Sequence, residues 1–318
     1  MKKLISVLIP CYNEEENVIP MSEAVREQFE QLPEYDYELI FIDNDSQDST
    51  RAKLVALCQQ DKHVKAIFNA KNFGQFNSPF YGMCQTHGDC TVTLCCDFQD
   101  PPELIGRCVR EWEKGYKIVC AIKSQSKESP IIRAMRTCYY RLIKKISPVG
   151  MIEHFTGTGL YDRSFIDVLR ELDDPTPFLR GIVAELGFRR TEITYEQQKR
   201  RAGKSSNNFF TLYDAAMLSF TSYTKAGMRL ATISGFIIAF LSILVAIVYT
   251  VLKLTYWNRF PAGNAPILIG VFLFGGLQLF FTGLLGEYIM NINTRVMHRP
   301  LVIEERRIGV WEDEKDAK

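Results

Sequence analysis

Along the chain, the pattern of apolar and polar positions changes character twice. In the first two hundred or so residues, short apolar runs alternate with polar turns and mixed segments. Ile5 to Ile9 is apolar apart from Ser6 and ends at Pro10, the pattern of a strand covered on both faces of a parallel sheet. Glu38 to Ile42, Val64 to Phe68 and Thr91 to Cys95 read as three further strands. Between the first two, Asn13 is placed to cap a helix whose first turn holds Glu14, Glu15 and Glu16, favourable at a positive helix end. A second helix is predicted from about Ser49 to Cys58. Strands alternating with helices predict a doubly wound, mostly parallel α/β sheet, whose ligands bind beyond the carboxyl ends of the strands.

The pattern then turns helical. Phe209, Phe210, Leu212, Tyr213, Ala216, Met217, Phe220 and Tyr223 recur at helical spacing behind Lys199, Arg200, Arg201 and Lys204. This fits an interfacial amphipathic helix with a basic entry, or an amphipathic helix packed on the preceding domain. Two stretches follow, Leu230 to Leu252 and Phe260 to Gly286, with no charged residue. At about 1.5 Å per residue each can cross a hydrocarbon core of roughly 30 Å; the alternative is a pair of buried core helices. Cations flank the pair at Lys225, Arg229, Arg295, Arg299, Arg306 and Arg307, which favours both termini in the cytosol. The expected organisation is a cytosolic domain at 1–207, a juxtamembrane amphipathic helix at 208–227, two transmembrane helices at 228–290 and a cytosolic tail at 291–318.

Composition refines this picture. Lys and Arg total 38 against 37 Asp and Glu, which excludes the strongly basic signature of a general nucleic-acid binder. Of nine cysteines, several lie in apolar runs (Cys90, Cys95, Cys96 and Cys120) and none forms a paired metal-binding array, so buried reduced thiols are expected. The opening Met1-Lys2-Lys3-Leu4 does not develop into a signal peptide, because its apolar run stops at Ile9 and glutamates follow.

Polar clusters stand at the end of each predicted strand: Pro10-Cys11-Tyr12-Asn13-Glu14, Asp43-Asn44-Asp45-Ser46, Asn72-Phe73-Gly74-Gln75 and Asp97-Phe98-Gln99-Asp100. One such end is commonly a turn or a helix cap. Four on one rim define a candidate site.

Together SVLIPCYNEEENV, the NFG of Asn72 to Gly74, DFQDPPELI, the residues around Gly157 to Asp167, RRAGKSS and LLGEYI resemble glycosyltransferase family 2, across nearly the whole chain. The likeness extends to its polyprenyl-phosphate branch, which includes bactoprenol glucosyltransferases and dolichol-phosphate mannosyltransferases. The resemblance implies a GT-A fold and inverting, metal-dependent transfer of a hexose, with UDP-glucose the favoured donor. The implied acceptor is undecaprenyl or another polyprenyl phosphate at the cytosolic face of a bacterial inner membrane. It implies that Pro10, Tyr12, Glu14, Asp43, Asn44, Asn72, Gly74, Asp97 and Lys123 bind the donor. It further implies that Asp97 and Gln99 hold Mg2+ or Mn2+, and that Arg133, Arg200 and Lys204 meet the acceptor phosphate. Asp97, Gln99, Arg133 and Arg200 form the implied catalytic set. A homo-oligomer and a lipid-linked-sugar flippase are further expected partners.

The chain also departs from the family pattern. Asn44, Cys95 and Thr158 each stand where relatives carry Asp, and Asp162 lies near the last of these. A soft metal on Cys95 and Cys96 is one alternative to the oxygen-ligated ion. A membrane-tethered nucleotide-sugar-binding scaffold without turnover is an alternative function. A polysaccharide synthase is another, although Gln197-Gln198-Lys199-Arg200 lacks the Trp of the motif such synthases carry.

Overall fold

The computed structural model describes residues 2–125, 152–172, 174–201, 217–218, 220, 226–255, 264–297 and 299–311. The expected strands are present; the first three are longer than predicted, whereas the fourth starts one residue earlier and ends at Thr93, two residues short of Cys95. They are β1 (Lys3–Cys11), β2 (Tyr35–Asp43), β3 (Val64–Asn69) and β4 (Cys90–Thr93), separated by helices α1 (Val18–Glu30), α2 (Thr50–Gln60) and α3 (Gly74–Cys84). Then follow α4 (Leu104–Glu113), β5 (Ile118–Gln125), β6 (Phe155–Asp162), α5 (Arg163–Glu171), α6 (Leu179–Glu185) and β7 (Arg190–Glu196). Two long helices, α7 (Ala226–Thr255) and α8 (Asn264–Val296), precede a final strand, β8 (Glu304–Ile308).

One eight-stranded sheet results, in the order β7-β5-β6-β4-β1-β2-β3-β8. Its centre, β4-β1-β2-β3, is parallel, whereas β6 runs against β4 and β5, and β8 against β3. With β5 and β7 also parallel to each other, four of the seven pairings are parallel, so the sheet is mixed but mostly parallel, as expected. Both faces are covered, which explains the predominantly apolar runs. Ile5, Val7 and Ile9 share one core with Met21 and Val25 of α1 and Ile105 and Val109 of α4. Leu8, Ile40 and Ile42 face the other core with Phe80 and Met83 of α3 and Phe165 of α5.

The entry to α1 departs from expectation. Residues Asn13 to Asn17 form a turn, and α1 begins only at Val18 with Asn17 at its N-cap position. Asn13 adopts φ 55° and its side chain accepts the N–H of Gln47, so it ties two loops together instead of capping a helix. The segment read as a tail is also more than a tail, since 304–308 form a sheet edge and Trp311 is buried in the second core. Arg307, counted above among the membrane-flanking cations, bonds Gln85 and Glu304. Arg306 lies over the Phe68 ring.

Leu230 to Leu252, and the second charge-free stretch from Asn264 onward, lie in helices of 30 and 33 residues. Among the described residues, however, no helix is long and apolar enough to cross a membrane, and several side chains along α7 and α8 lie outside that description. The expectation of two membrane spans is met here only in their helicity. Most of the expected amphipathic helix at 208–227 also lies outside the described residues.

A buried charge cluster pins the sheet away from its carboxyl ends. Glu38 on β2 accepts from Lys65 Nζ at 2.5 Å, Ser6 Oγ at 2.5 Å and the His87 N–H at 2.7 Å. Burial pushes this carboxyl up, but those donors and the Lys65 charge outweigh it and hold Glu38 at about 2, against an ordinary 4.5. A depressed carboxyl stabilises the fold above its unfolded value, and that contribution is lost as pH falls from 4.5 towards 2. Glu38→Gln should therefore cost on the order of 3 kcal/mol at pH 7, and the deficit against wild type should shrink steadily below pH 4. Urea titrations of both proteins at pH 7 and pH 3 measure it.

Candidate active site

Parallel pairing in register sets the ends of β1 and β2 side by side. Cys11 stands opposite Asp43, and the Asn44 N–H donates to the Cys11 carbonyl at 3.0 Å. Loop-to-loop bonds then weave the rim together. Asn13 N–H donates to Ser46 Oγ at 2.8 Å, Glu14 N–H to Thr50 Oγ1 at 2.9 Å and Glu15 N–H to Asp48 Oδ2 at 3.2 Å. Three strand-end turns hold a non-glycine residue at positive φ: Asn13 at 55°, Asp45 at 67° and Phe98 at 60°. Such conformations cost energy and persist only where the surroundings over-determine them. They concentrate on the rim that the sequence marks as the site.

Asp43 is buried, at 0% exposure. Its Oδ2 accepts from Arg51 Nε at 2.9 Å and from the Ser46 N–H at 3.2 Å. Its Oδ1 is buried and has no hydrogen-bond partner among the described residues. Beside it, the Asn44 amide is fully engaged. Nδ2 donates to Asn72 Oδ1 at 2.8 Å and to the Gly74 carbonyl at 3.3 Å, while Oδ1 accepts from the Phe73 N–H and from Asn69 Nδ2. Asn44 thus organises the Asn72-to-Gly74 loop. The two members of the pair differ: one carboxylate retains an open acceptor, and one amide has its hydrogen-bonding groups occupied.

Across the rim, Asp97 is nearly buried at 4% exposure. Its Oδ2 meets Arg200 Nη2 at 2.8 Å and its Oδ1 accepts the Gln99 N–H at 3.1 Å. Arg201 N–H donates to the Asp97 carbonyl and Gln198 N–H to that of Gln99, so the segment after β7 closes over the loop after β4. Burial, then the Asp97 and Asp48 carboxylates, push Glu14 up against the opposing Asn17 hydrogen bond and Arg200 charge. This field connects the Glu14 side of the rim to Asp97. Pro10 sits opposite Ile42 near the end of β1, Tyr12 is exposed, and Lys123 is half-buried near the end of β5. Arg133 and Lys204 lie outside the described residues.

Thr158 has a structural role at this end of the sheet. Thr158 donates to Asp100 Oδ2 at 2.7 Å, and the Tyr195 hydroxyl donates to Asp100 Oδ1. Asp100, at 0% exposure, thereby locks the loop after β4 to β6 and β7. Gly159 is required where β6 passes β5, because a Cβ there would lie 2.1 Å from the Val119 carbonyl oxygen. Asp162 is remote from this end, because β6 runs antiparallel and pairs it with Cys90 at the start of β4. It caps α5 through the Ser164 N–H and accepts from Trp112 Nε1 at 2.7 Å.

A hard cation fits the Asp97–Gln99 segment in part. One carboxylate is present, already paired with Arg200, so an ion would have to win that oxygen and draw other ligands from a bound diphosphate. Among the described residues no three His, Cys, Asp or Glu side chains group to hold a metal. A soft-metal thiolate pair is not prepared either, since burial and the Glu14 and Asp97 charges push the Cys96 thiol well up. Sequence reasoning missed Arg51, Tyr195 and Glu305, whose placement depends on long-range packing.

A mixed α/β sheet with its polar rim at the strand ends defines a GT-A-like domain, and its class follows from its relatives. The model for glycosyl transferase family 2 matches residues 6–169, from β1 into α5. The bactoprenol glucosyl transferase of Shigella phage SfX is 30% identical over 304 residues, covering 95% of this chain and 99% of that one. The uncharacterized glycosyltransferase sll0501 of Synechocystis is 28% identical over 300 residues, covering 94% of each chain. Among solved structures, glucosyl-3-phosphoglycerate synthase from Mycobacterium tuberculosis aligns with a TM-score of 0.47 at 16% identity, covering 69% of this chain and 78% of that one. The chain belongs to glycosyl transferase family 2 and is a glycosyltransferase.

The occupied Asn44 amide yields a test. Asn44→Asp keeps both acceptor interactions but loses two donations and sets a charge against Asn72 Oδ1 and the Gly74 carbonyl. Stability should fall by about 1–3 kcal/mol, measured by chemical denaturation.

Proposed function

We propose that this protein transfers glucose from UDP-glucose to a polyprenyl phosphate, such as undecaprenyl phosphate, at the cytosolic face of a bacterial inner membrane. The observation that carries the reading is the composition of one rim: a buried carboxylate with an open oxygen at Asp43, and the Asp97–Arg200 salt bridge across from it. An open buried acceptor suits an N–H of the donor's base, and the ion pair suits a diphosphate that must be bound and then released. The glucose and the lipid acceptor follow the names of the relatives above.

An oxygen of the lipid phosphate attacks the anomeric carbon as the bond to the nucleoside diphosphate oxygen breaks, and the centre inverts. The attacking oxygen is already ionised near neutral pH, so no base need take a proton, consistent with Thr158 being committed to Asp100. The requirement is alignment and charge stabilisation. Pro10, Tyr12, Glu14, Asn72, Gly74 and Lys123 border the donor in this reading. Arg200, exchanged from Asp97 to phosphate, stabilises the leaving diphosphate, with Arg133 and Lys204 assigned to the acceptor. Mg2+ or Mn2+ at Asp97 and Gln99 supplies Lewis-acid stabilisation when bound.

Membrane attachment belongs to the same proposal. At about 1.5 Å per residue, α7 and α8 rise some 45 and 50 Å, beyond a hydrocarbon core of about 30 Å. Leu230 to Leu252 and Phe260 to Gly286 carry no charge, and exposed apolar side chains run along both, Phe236 and Leu279 at 74%. A water-facing surface of that kind calls for lipid or a partner, including a second copy of the chain. A product made on the cytosolic face would require a flippase for use beyond it.

Detergent-purified protein with UDP-[14C]glucose, Mg2+ or Mn2+ and undecaprenyl phosphate should move label into the organic phase. Asp97→Ala should lower that rate by at least about a hundredfold. Metal-dependent UDP binding without any lipid-linked product would instead support a binding scaffold. In a second test, the full chain should float with lipid vesicles and resist carbonate extraction, while recovery in the carbonate-soluble fraction would overturn the membrane reading.

A further inference from the structure

The last strand of the chain reaches the proposed donor site from behind. β8 pairs with the edge of β3, with Ile308 opposite Ala66, Arg307 opposite Ile67 and Arg306 opposite Phe68. The next pair is Glu304 with Asn69, so Glu305 is the extra residue of a β-bulge. Bulges of this kind re-aim a side chain and strengthen the local twist. Here the bulge coincides with an ion pair, Glu305 Oε2 to Arg51 Nη2 at 2.8 Å. The same Nη2 donates to the Asn69 carbonyl at 3.0 Å, and Arg51 Nε holds Asp43 Oδ2 at 2.9 Å. One guanidinium therefore bridges three acceptors, on β2, β3 and β8. Just beyond, the Ala70 N–H donates to the Ile303 carbonyl at 2.9 Å, fixing the backbone that leads into Asn72 and Gly74.

The chemistry of the bridge is unequal. Asp43 is fully buried and needs its countercharge, whereas Glu305 is half exposed and contributes little to stability as an ion pair. Its effect is geometric. A guanidinium held from both ends in a fixed plane keeps Asp43 Oδ2 occupied and leaves Oδ1 as the oxygen without a partner. We propose that Glu305 is a positioning residue for the nucleotide: a carboxylate beyond the two long helices that sets Arg51 and, through it, the orientation of Asp43. This rests on the reading of Asp43 as the acceptor for the donor's base.

The test uses full-length protein in detergent, with UDP affinity by calorimetry, UDP-glucose KM and kcat, and thermal melts. Glu305→Ala should raise the UDP Kd and the donor KM together by about two- to fivefold, the scale of a partly exposed ion pair, with kcat and Tm nearly unchanged. Glu305→Gln, which can still accept from Arg51, should recover part of the loss. In an Arg51→Lys background, where one ammonium cannot bridge three acceptors, Glu305→Ala should have no further effect. If Asp43→Asn weakens UDP binding but Glu305→Ala does not, the positioning role is overturned and the donor reading stands. Equal losses of kcat and Tm without a KM change would make Glu305 merely structural and also overturn the proposal. If neither Asp43→Asn nor Glu305→Ala alters UDP binding, the donor reading falls, and this role with it.

Discussion

In-register parallel pairing of β4, β1, β2 and β3 is the constraint on which the rest of the molecule depends. Parallel strands send their chain turns to one edge, so loops that are distant in sequence must share a rim. Cys11 opposite Asp43 is the residue-level expression of that rule, and the Asn44-to-Cys11 hydrogen bond continues it past the last ladder pair. Both faces of these strands are buried, so slipping the register by one residue would turn Ser6, Glu38 and Lys65 into the wrong core. The Glu38 cluster makes that error expensive. The site is therefore held by a charge network on which its chemistry does not draw.

The parts of the fold that were legible in the sequence are those whose burial is symmetrical. Runs such as Ile5 to Ile9 and Glu38 to Ile42 announce strands because neither face meets water. β8 could not be read that way: Glu304, Glu305, Arg306 and Arg307 belong to an edge strand, where charge is tolerated and blocks further pairing. The start of α1 was misread because Asn13 and three glutamates imitate a helix entry, while the chain adopts a left-handed turn to reach Gln47. At the site, Asp43 and Asp97 stand out as carboxylates at strand ends. Arg51, Tyr195 and Glu305 do not, because each matters through a contact between segments far apart in sequence.

Asn44 and Thr158 have related structural settings. Both side chains are committed to hydrogen bonds that shape neighbouring loops, Asn44 to the Asn72 loop and Thr158 to Asp100. Negative charge on the rim is thereby concentrated in fewer places. Asp97 has Arg200 beside it, Asp43 has Arg51, and Glu14 is held in an environment that disfavours its ionisation. A rim arranged in this way can accept a highly charged donor without first having to disperse a dense patch of its own carboxylates.

The sheet order places β7 and β8 at opposite edges, and the two long helices lie between them in sequence. Seven interstrand spacings of about 4.8 Å separate those edges by roughly 34 Å. A catalytic body hung from a single linker would swivel freely above a bilayer. A body moored at both margins can rock but cannot spin. Under the proposed membrane attachment and lipid acceptor, that mooring would convert a three-dimensional orientational search into a narrow range of tilt.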